Sequence, residues 1–302
     1  MKRFITTLFL FGLVLVPVFI AADLGLSRWM KASNFPNMEI MNDVMNGEVD
    51  ADIAVFGSSW PMTGFNPAVC DSITGLSSYD VTTEGGHFNT HRLMEELYFR
   101  YNRKPRMIVH FIDSWWLTDN KILGFDFQFL PYMWDKEFRQ HAASLMGPVY
   151  MAANCIPVLR YKSTSPWLYR LKPRSTYKGH HTYSAPDFNP SVPEDSIRVS
   201  TSYRMESEFQ KQMARIKEQG ISIVFVYQPV HKSYLMEKDS RVHMERFYQN
   251  LADKLDIPVL DYRGMDISDD PSKFIDAAHL NPSGAGILTD TLSKDLAGLL
   301  GL

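Results

Sequence analysis

Two cysteines, Cys70 and Cys155, are all that the 302 residues contain, and no close set of histidines accompanies them. So small a supply of sulfur ligands excludes a structural zinc site, which takes four Cys or His side chains. An exported location permits a disulfide between the two, and it equally permits two thiols, a buried one behaving as a small apolar side chain. Positive charge is not in surplus either: 31 Lys and Arg stand against 34 Asp and Glu, for a net charge of −3. Without clustered basic side chains there is no electrostatic footprint for nucleic acid, and that class is set aside. Internal repeats, low-complexity tracts and a long apolar lid segment are also missing. What remains, 45% hydrophobic and 22% charged positions, suffices to bury one sizeable α/β core with an elaboration, or two small domains.

The clearest compositional signal comes first in the chain. Met1-Lys2-Arg3 is basic, and residues 4–22 then run without a charged side chain. As a helix rising about 1.5 Å per residue, this run spans roughly 28 Å, close to the hydrocarbon thickness of a bilayer. Lys and Arg stay on the cytoplasmic side, so everything after Asp23 is expected outside the cytoplasmic membrane. A cleaved signal peptide is the rival reading. Phe19-Ile20-Ala21-Ala22-Asp23 matches a small-x-small cleavage site poorly, which favours an uncleaved single-pass anchor over residues 1–23.

Residues 24–50, rich in Met and Asn, read as a stalk or as a helix packed on the domain surface. Short apolar runs follow at 52–56, 107–112, 221–227 and 257–260, with a weaker one at 77–82. Continuous rather than alternating hydrophobicity is how strands of a buried parallel sheet read. Apolar residues at three- and four-residue spacing predict helices over 90–101, 202–219, 241–255 and 283–299, with Gly220 suited to a helix C-terminus. Strand and helix alternate through both ends of the chain. The expected fold is therefore a doubly wound α/β domain over 51–302, with about five parallel strands between two helical layers, flavodoxin-like in plan. Residues 117–199 break the rhythm with aromatics, prolines and a basic group that includes Arg160, Arg170 and Arg174. They are expected to form an insertion covering the mouth of the site, since a structureless loop of that length is unusual in a compact domain.

Two segments carry the residue types that chemistry needs. Gly57-Ser58-Ser59 follows the first strand, so a hydroxyl stands at the carboxyl end of a strand, where open α/β sheets present ligands. A helix N-terminus just after it offers backbone N–H groups to an anion. Far downstream, Asp276-Ala277-Ala278-His279-Leu280-Asn281-Pro282 precedes the last helix. A spacing of three lets a carboxylate accept from one imidazole nitrogen and leave the other to deprotonate a serine. Taken alone, each segment also fits an ordinary turn or a helix-capping loop.

Together the two segments resemble the SGNH (GDSL-like) serine acyl hydrolase family. There the nucleophile lies in a Gly-Asp-Ser block after the first strand, and an Asp-x-x-His block precedes the last helix. The resemblance implies Ser59 as nucleophile, His279 as general base and Asp276 as the residue that orients it. Ser58 replaces the first block's usual Asp. That variant is similar to membrane-linked branches in which Gly-Ser-Ser is followed by Gly-x-Asn-Pro, here Gly64-Phe65-Asn66-Pro67. For the oxyanion the resemblance implies the Ser59 N–H and the Gly86 N–H, from the Gly85-Gly86 block. The family's asparagine is replaced after the third strand by Asp113-Ser114-Trp115, so either Asn89 or another group stands in or the oxyanion hole is weaker, with Ser58, Asp113 and Trp115 facing the substrate. An ionised Asp113 beside an oxyanion would repel it. The remaining histidines, His87, His91, His180-His181 and His231, are expected as surface or packing residues in or near loops.

By resemblance the chemistry is two-step acyl transfer without metal or cofactor. It would take an acylated cell-envelope polysaccharide or another acyl donor, with an integral membrane O-acyltransferase as a partner. The other class is a catalytically inactive SGNH-fold protein that binds glycan or a membrane partner through the aromatic insertion.

Overall fold

The computed structural model describes residues 1–33, 36–85, 88–113, 117, 126–161, 176–177, 180–181, 201–234 and 236–302. Five strands, β1 (Ile53–Phe56), β2 (Ser78–Asp80), β3 (Met107–Phe111), β6 (Ser222–Tyr227) and β7 (Val259–Asp261), form one sheet in the order β2-β1-β3-β6-β7. Every pairing is parallel, with Ile53 beside both Ser78 and Met107, Met107 beside Ser222, and Phe225 beside Val259. Counted along the chain the order is 2-1-3-4-5, the flavodoxin-like doubly wound plan, with its topological switch between β1 and β3. A separate antiparallel hairpin joins β4 (Thr176–Tyr177) to β5 (His180–His181), so these two histidines sit on a strand and not in a loop.

The reason the strands read as unbroken apolar runs is visible in their packing. Ala54, Phe56, Ile108, Ile223 and Phe225 face one layer, while Ile53, Val55, Met107, Val109, Val224 and Val226 face the other. The first layer holds α2 (Pro36–Asn46), α5 (Phe88–Tyr101), α6 (Lys136–Asn154), α7 (Tyr203–Glu218) and α8 (Lys238–Leu255). The second holds α4 (Pro67–Thr74) and α9 (Pro282–Leu300), which pack side by side. Sequence signals set the ends. Asn66 and Asn281 cap α4 and α9 through their side-chain oxygens, each followed by proline in the first turn. Gly220 lies one residue past the α7 cap with φ +77°.

Residues 24–50, expected as a stalk or a packed helix, complete α1 (Lys2–Lys31) and form α2. Met38, Ile40, Met41 and Val44 of α2 are fully buried, so this stretch belongs to the core. α1 is a single helix near the N-terminus, long and apolar enough to cross a membrane. Its last turns are built into the domain. Asp23 is fully buried and accepts from the Val158 N–H at 2.8 Å and the Trp134 indole at 2.6 Å, and it pairs with the Arg160 guanidinium. Ser27 hydrogen-bonds the Tyr161 hydroxyl at 2.7 Å, and Met30 packs with Met38, Phe127 and Leu130. The described part of the insertion thus serves as the seat of the helix, while β5 lies against the helix that carries Ser59.

Breaking a buried ion pair from one side leaves an uncompensated charge, at a cost of about 3–5 kcal/mol, whereas replacing both partners is close to neutral. Asp23→Ala is expected to destabilise the chain by that order in urea unfolding in detergent, and Asp23→Ala with Arg160→Met to recover most of it. Equal losses in the two variants would refute this account of the seat.

Candidate active site

β1 ends at Phe56, and the chain turns at once into α3 (Ser59–Gly64). The turn is tight enough to require glycine: a Cβ on Gly57 would lie 2.4 Å from Pro61 Cγ and 3.2 Å from Phe111 Cβ. Ser58 is buried, and its hydroxyl accepts from the Trp60 N–H at 3.3 Å, capping α3. Ser58, expected to face substrate, has its side chain turned to the helix cap. Ser59 is the first residue of α3 and only half-buried. Its backbone N–H, in a first helical turn, has no intrahelical acceptor and is available to an anion.

The second half of the site is a loop held from several sides. Phe274 and Leu280 form an antiparallel bridge, Ile275 N–H donates to His279 O at 2.8 Å, and Asn281 N–H donates to Lys273 O at 2.9 Å. From β6 and its following loop, the Gln228 amide donates to Ala278 O at 3.0 Å and the His231 N–H to Ala277 O at 2.9 Å. Gly284 lets α9 start against this loop, because a Cβ there would sit 2.3 Å from Lys273 O.

Inside the loop, Asp276 Oδ1 accepts from the backbone N–H groups of Ala278 at 2.8 Å and His279 at 2.9 Å. Both carboxylate oxygens lie 2.9 Å from His279 Nδ1, and His279 Nε2 lies 2.7 Å from Ser59 Oγ, 220 residues away in sequence. Burial opposes ionisation of Asp276, but the hydrogen bonds from the imidazole and the two amides, with the charge of His279, outweigh it and hold its carboxyl below the usual aspartate value. An ionised Asp276 is acceptor-only, so the proton of the imidazole is assigned to Nδ1. Nε2 is then the acceptor, and the Ser59 hydroxyl donates to it.

Of the other expected site residues, Asn89 lies half-buried in the first turn of α5. Asp113 is buried beyond the end of β3, and its charge bears on Tyr248 of α8, whose hydroxyl is pushed far above the usual tyrosine value chiefly by burial. Gly86, His87 and Trp115 lie outside the described residues. His91 bonds Thr83 at 3.1 Å and His231 bonds Ser233 at 2.7 Å, both buried packing partners. Cys70 is buried, Cys155 is exposed, and they are not bonded to each other.

Sequence reasoning missed a cleft of about 880 Å³ at the carboxyl ends of β3, β6 and β7, lined among others by Trp60, Tyr227, Gln228, Tyr234, Arg241 and Arg263. It shares with the Ser59–His279 site Trp60, the residue after the serine, and Gln228, whose amide holds Ala278 O in the histidine loop. Trp60 and Tyr234 meet edge to face at 5.8 Å. Arg263 lies 4.2 Å over the Tyr227 ring and is held by Asp261 and Glu245. The Tyr227 hydroxyl and Gln228 Oε1 are buried without a hydrogen-bond partner among the described residues. The only linear signal for this cleft was Tyr227-Gln228, a polar pair closing an apolar strand.

No family model and no curated protein matches the chain. Among solved structures it is similar to the acetyl xylan esterase AlAXEase, with 12% identity, 82% of this chain and 98% of that one covered, and a TM-score of 0.41. It is also similar to a Bacteroides fragilis protein assigned as an acylhydrolase, with 11% identity, 82% and 86% covered, and a TM-score of 0.40. A protein assigned to the G-D-S-L lipolytic family from Desulfitobacterium hafniense aligns at 8% identity over 80% and 98%, with a TM-score of 0.35. Likenesses this distant leave the function to be argued from the site.

Two outcomes follow from the geometry. Gly57→Ala must push the α3 turn off the strand end, and a displacement of about 1 Å at Ser59 costs on the order of 10²-fold in any rate that uses its hydroxyl. Steady-state assays should show that loss with the fold retained by circular dichroism; full activity refutes the steric account. Asp276 has its native value below its unfolded one, so it adds stability that is fully present above about 3.9, the unfolded value. That stability fades as pH falls through the lower native value. Unfolding free energies of wild type and Asp276→Asn are expected to differ at about pH 6 and the gap to narrow as pH falls progressively below about 3.9; a constant gap overturns the assignment.

Proposed function

We propose that this chain is a serine-dependent acyl ester hydrolase or O-acyltransferase, held in the cytoplasmic membrane by α1 and acting outside it on acylated cell-envelope polysaccharide. The observation that carries the reading is the unbroken hydrogen-bonded line from Ser59 Oγ through His279 to Asp276. In the first step the Ser59 oxygen attacks an ester carbonyl while His279 Nε2 takes the hydroxyl proton. Asp276 keeps Nδ1 protonated and stabilises the imidazolium. The tetrahedral oxyanion is received by the Ser59 N–H, with the Gly86 N–H and Asn89 as the further donors in this reading. Collapse expels the alcohol, which takes the proton back from His279 and leaves an acyl-Ser59 ester. In the second step His279 deprotonates the acceptor as it attacks the acyl-Ser59 carbonyl, and the Ser59 oxygen leaves and takes the proton back from His279: water gives net hydrolysis and a sugar hydroxyl gives O-acyl transfer.

The cleft beside Trp60 supports a bulky acceptor or donor, since its volume far exceeds that of an acetyl group. A span of uncharged residues preceded by Lys2 and Arg3 supports an outward-facing domain. An integral membrane O-acyltransferase that supplies the acyl group fits the same placement.

A fluorophosphonate probe and a chromogenic acetyl ester, applied to the full chain in detergent, test the reading. Wild type is expected to label and turn over, Ser59→Ala to lose labelling entirely, and Asp276→Asn to lose about 10³–10⁴-fold in kcat by losing the correct tautomer. Absence of labelling and turnover in folded wild type would leave a binding protein of the same fold. Acylated product in the presence of added polysaccharide separates transfer from hydrolysis.

A further inference from the structure

The seat of α1 fixes where the membrane surface meets the domain. Residues 4–22 carry no charge and Asp23 is the first charged residue after them. At about 1.5 Å per residue they fill the hydrocarbon layer, so Asp23 stands where the helix leaves it. Asp23 is bound directly by the Val158 N–H, Trp134 and Arg160. Residues 156–161 therefore lie within one side-chain length of the helix, at the level of the lipid headgroups.

The surface they present is not one that water favours. Val149 is 81% exposed, Leu159 53%, Ile156 50% and Trp134 43%. No charged side chain occurs from 142 to 159, whereas the first part of α6 carries Lys136, Glu137 and Arg139. The change comes near Gly147, whose φ of +80° and ψ of 171° break the helix, with Pro148 starting the second segment. Along that segment Val149, Ala152, Ala153 and Ile156 recur at helical spacing, and all four are exposed, while Tyr150 on the other side is buried. Beside them a hollow of about 330 Å³ is lined by Met133, Trp134, Met151, Arg139 and Arg160. Apolar side chains beside an indole and the exposed Arg139 match the boundary between acyl chains and lipid phosphates.

We propose that residues 148–159, with Trp134, form a second membrane contact that rests in the headgroup layer of the same bilayer that α1 crosses. This rests on the reading of α1 as a membrane span. The partner is lipid because the patch is continuous with the helix at its point of exit and has the exposed Arg139 beside it, Arg160 being taken up by Asp23. The domain is then held at two places on the bilayer, which fixes the direction in which the Ser59 cleft opens. A single helix, though rigidly joined to the domain, would leave the two free to turn and lean together.

Cys155 is exposed within this segment and Cys70 is buried, so a thiol-reactive fluorophore attaches to the native chain at Cys155. The full chain is reconstituted in vesicles of phosphatidylcholine and phosphatidylglycerol that contain lipids brominated near the headgroup. Carbonate extraction reports insertion of α1 independently, and a label on Lys294→Cys in a Cys155→Ser background, on the opposite helical layer, serves as the aqueous control. Quenching at Cys155 is expected to exceed the control several-fold. Ile156→Glu with Leu159→Glu should reduce it several-fold while carbonate resistance and probe labelling of Ser59 persist. A carbonate-resistant chain whose Cys155 label is no more quenched than the control overturns the second contact. A chain released by carbonate instead overturns the membrane-span reading on which it rests.

Discussion

A parallel sheet has no wet face. Each of its strands must reach its neighbour by a crossover, the crossovers are helices, and both sides of the sheet are covered as a result. From that constraint come the two helical layers, the apolar strands and the position of the site. All five carboxyl ends emerge on one edge, and the crossovers part at the switch between β1 and β3. Ser59 stands at that edge because β1 ends there. The His279 loop reaches it because Gln228 and His231, which follow β6 two places along the sheet, grip the backbone of Ala278 and Ala277.

The Asp276 carboxylate carries out two tasks with one set of lone pairs. Its bonds to the Ala278 and His279 amides close the loop, and its bond to Nδ1 fixes ring orientation and tautomer. Loop shape and base orientation are thereby one structural event, and the imidazole is positioned before any ligand arrives. Such preorganisation is what electrostatic catalysis requires, since reorganisation at the moment of reaction is avoided.

How much of this was legible in the linear chain varied with the physics. The strands at 53–56, 107–111 and 222–227 were plain because burial on both faces leaves no polar alternation to confuse. β2 was faint, for Ser78 and Asp80 are polar and sit on an edge strand. The helix over 36–46 was one of two readings, because its asparagines suit a stalk as well. Asn42 is a fastener, donating to Lys31 O at 2.7 Å and accepting from the Tyr132 hydroxyl at 2.5 Å. Gly147-Pro148 similarly disguised α6, since a helix broken once reads as loop. At the site, the serine after β1 and the Asp-x-x-His spacing could be read because each is local. Trp60, Tyr227 and Gln228 as neighbours could not, because their meeting depends on strand order. The capping duty of Ser58 depends on the turn geometry of Gly57.

The unbroken course of α1 into its buried seat has a mechanical meaning. With Asp23, Ser27 and Met30 all clamped to the body of the protein, there is no hinge between α1 and the sheet. In a chain held by α1 in a bilayer, as proposed, any lean of the helix, such as that imposed by a thinner bilayer, is passed on as an equal rotation of the whole domain. Lipid composition then acts on this molecule as a hand acts on a lever, through angle rather than affinity.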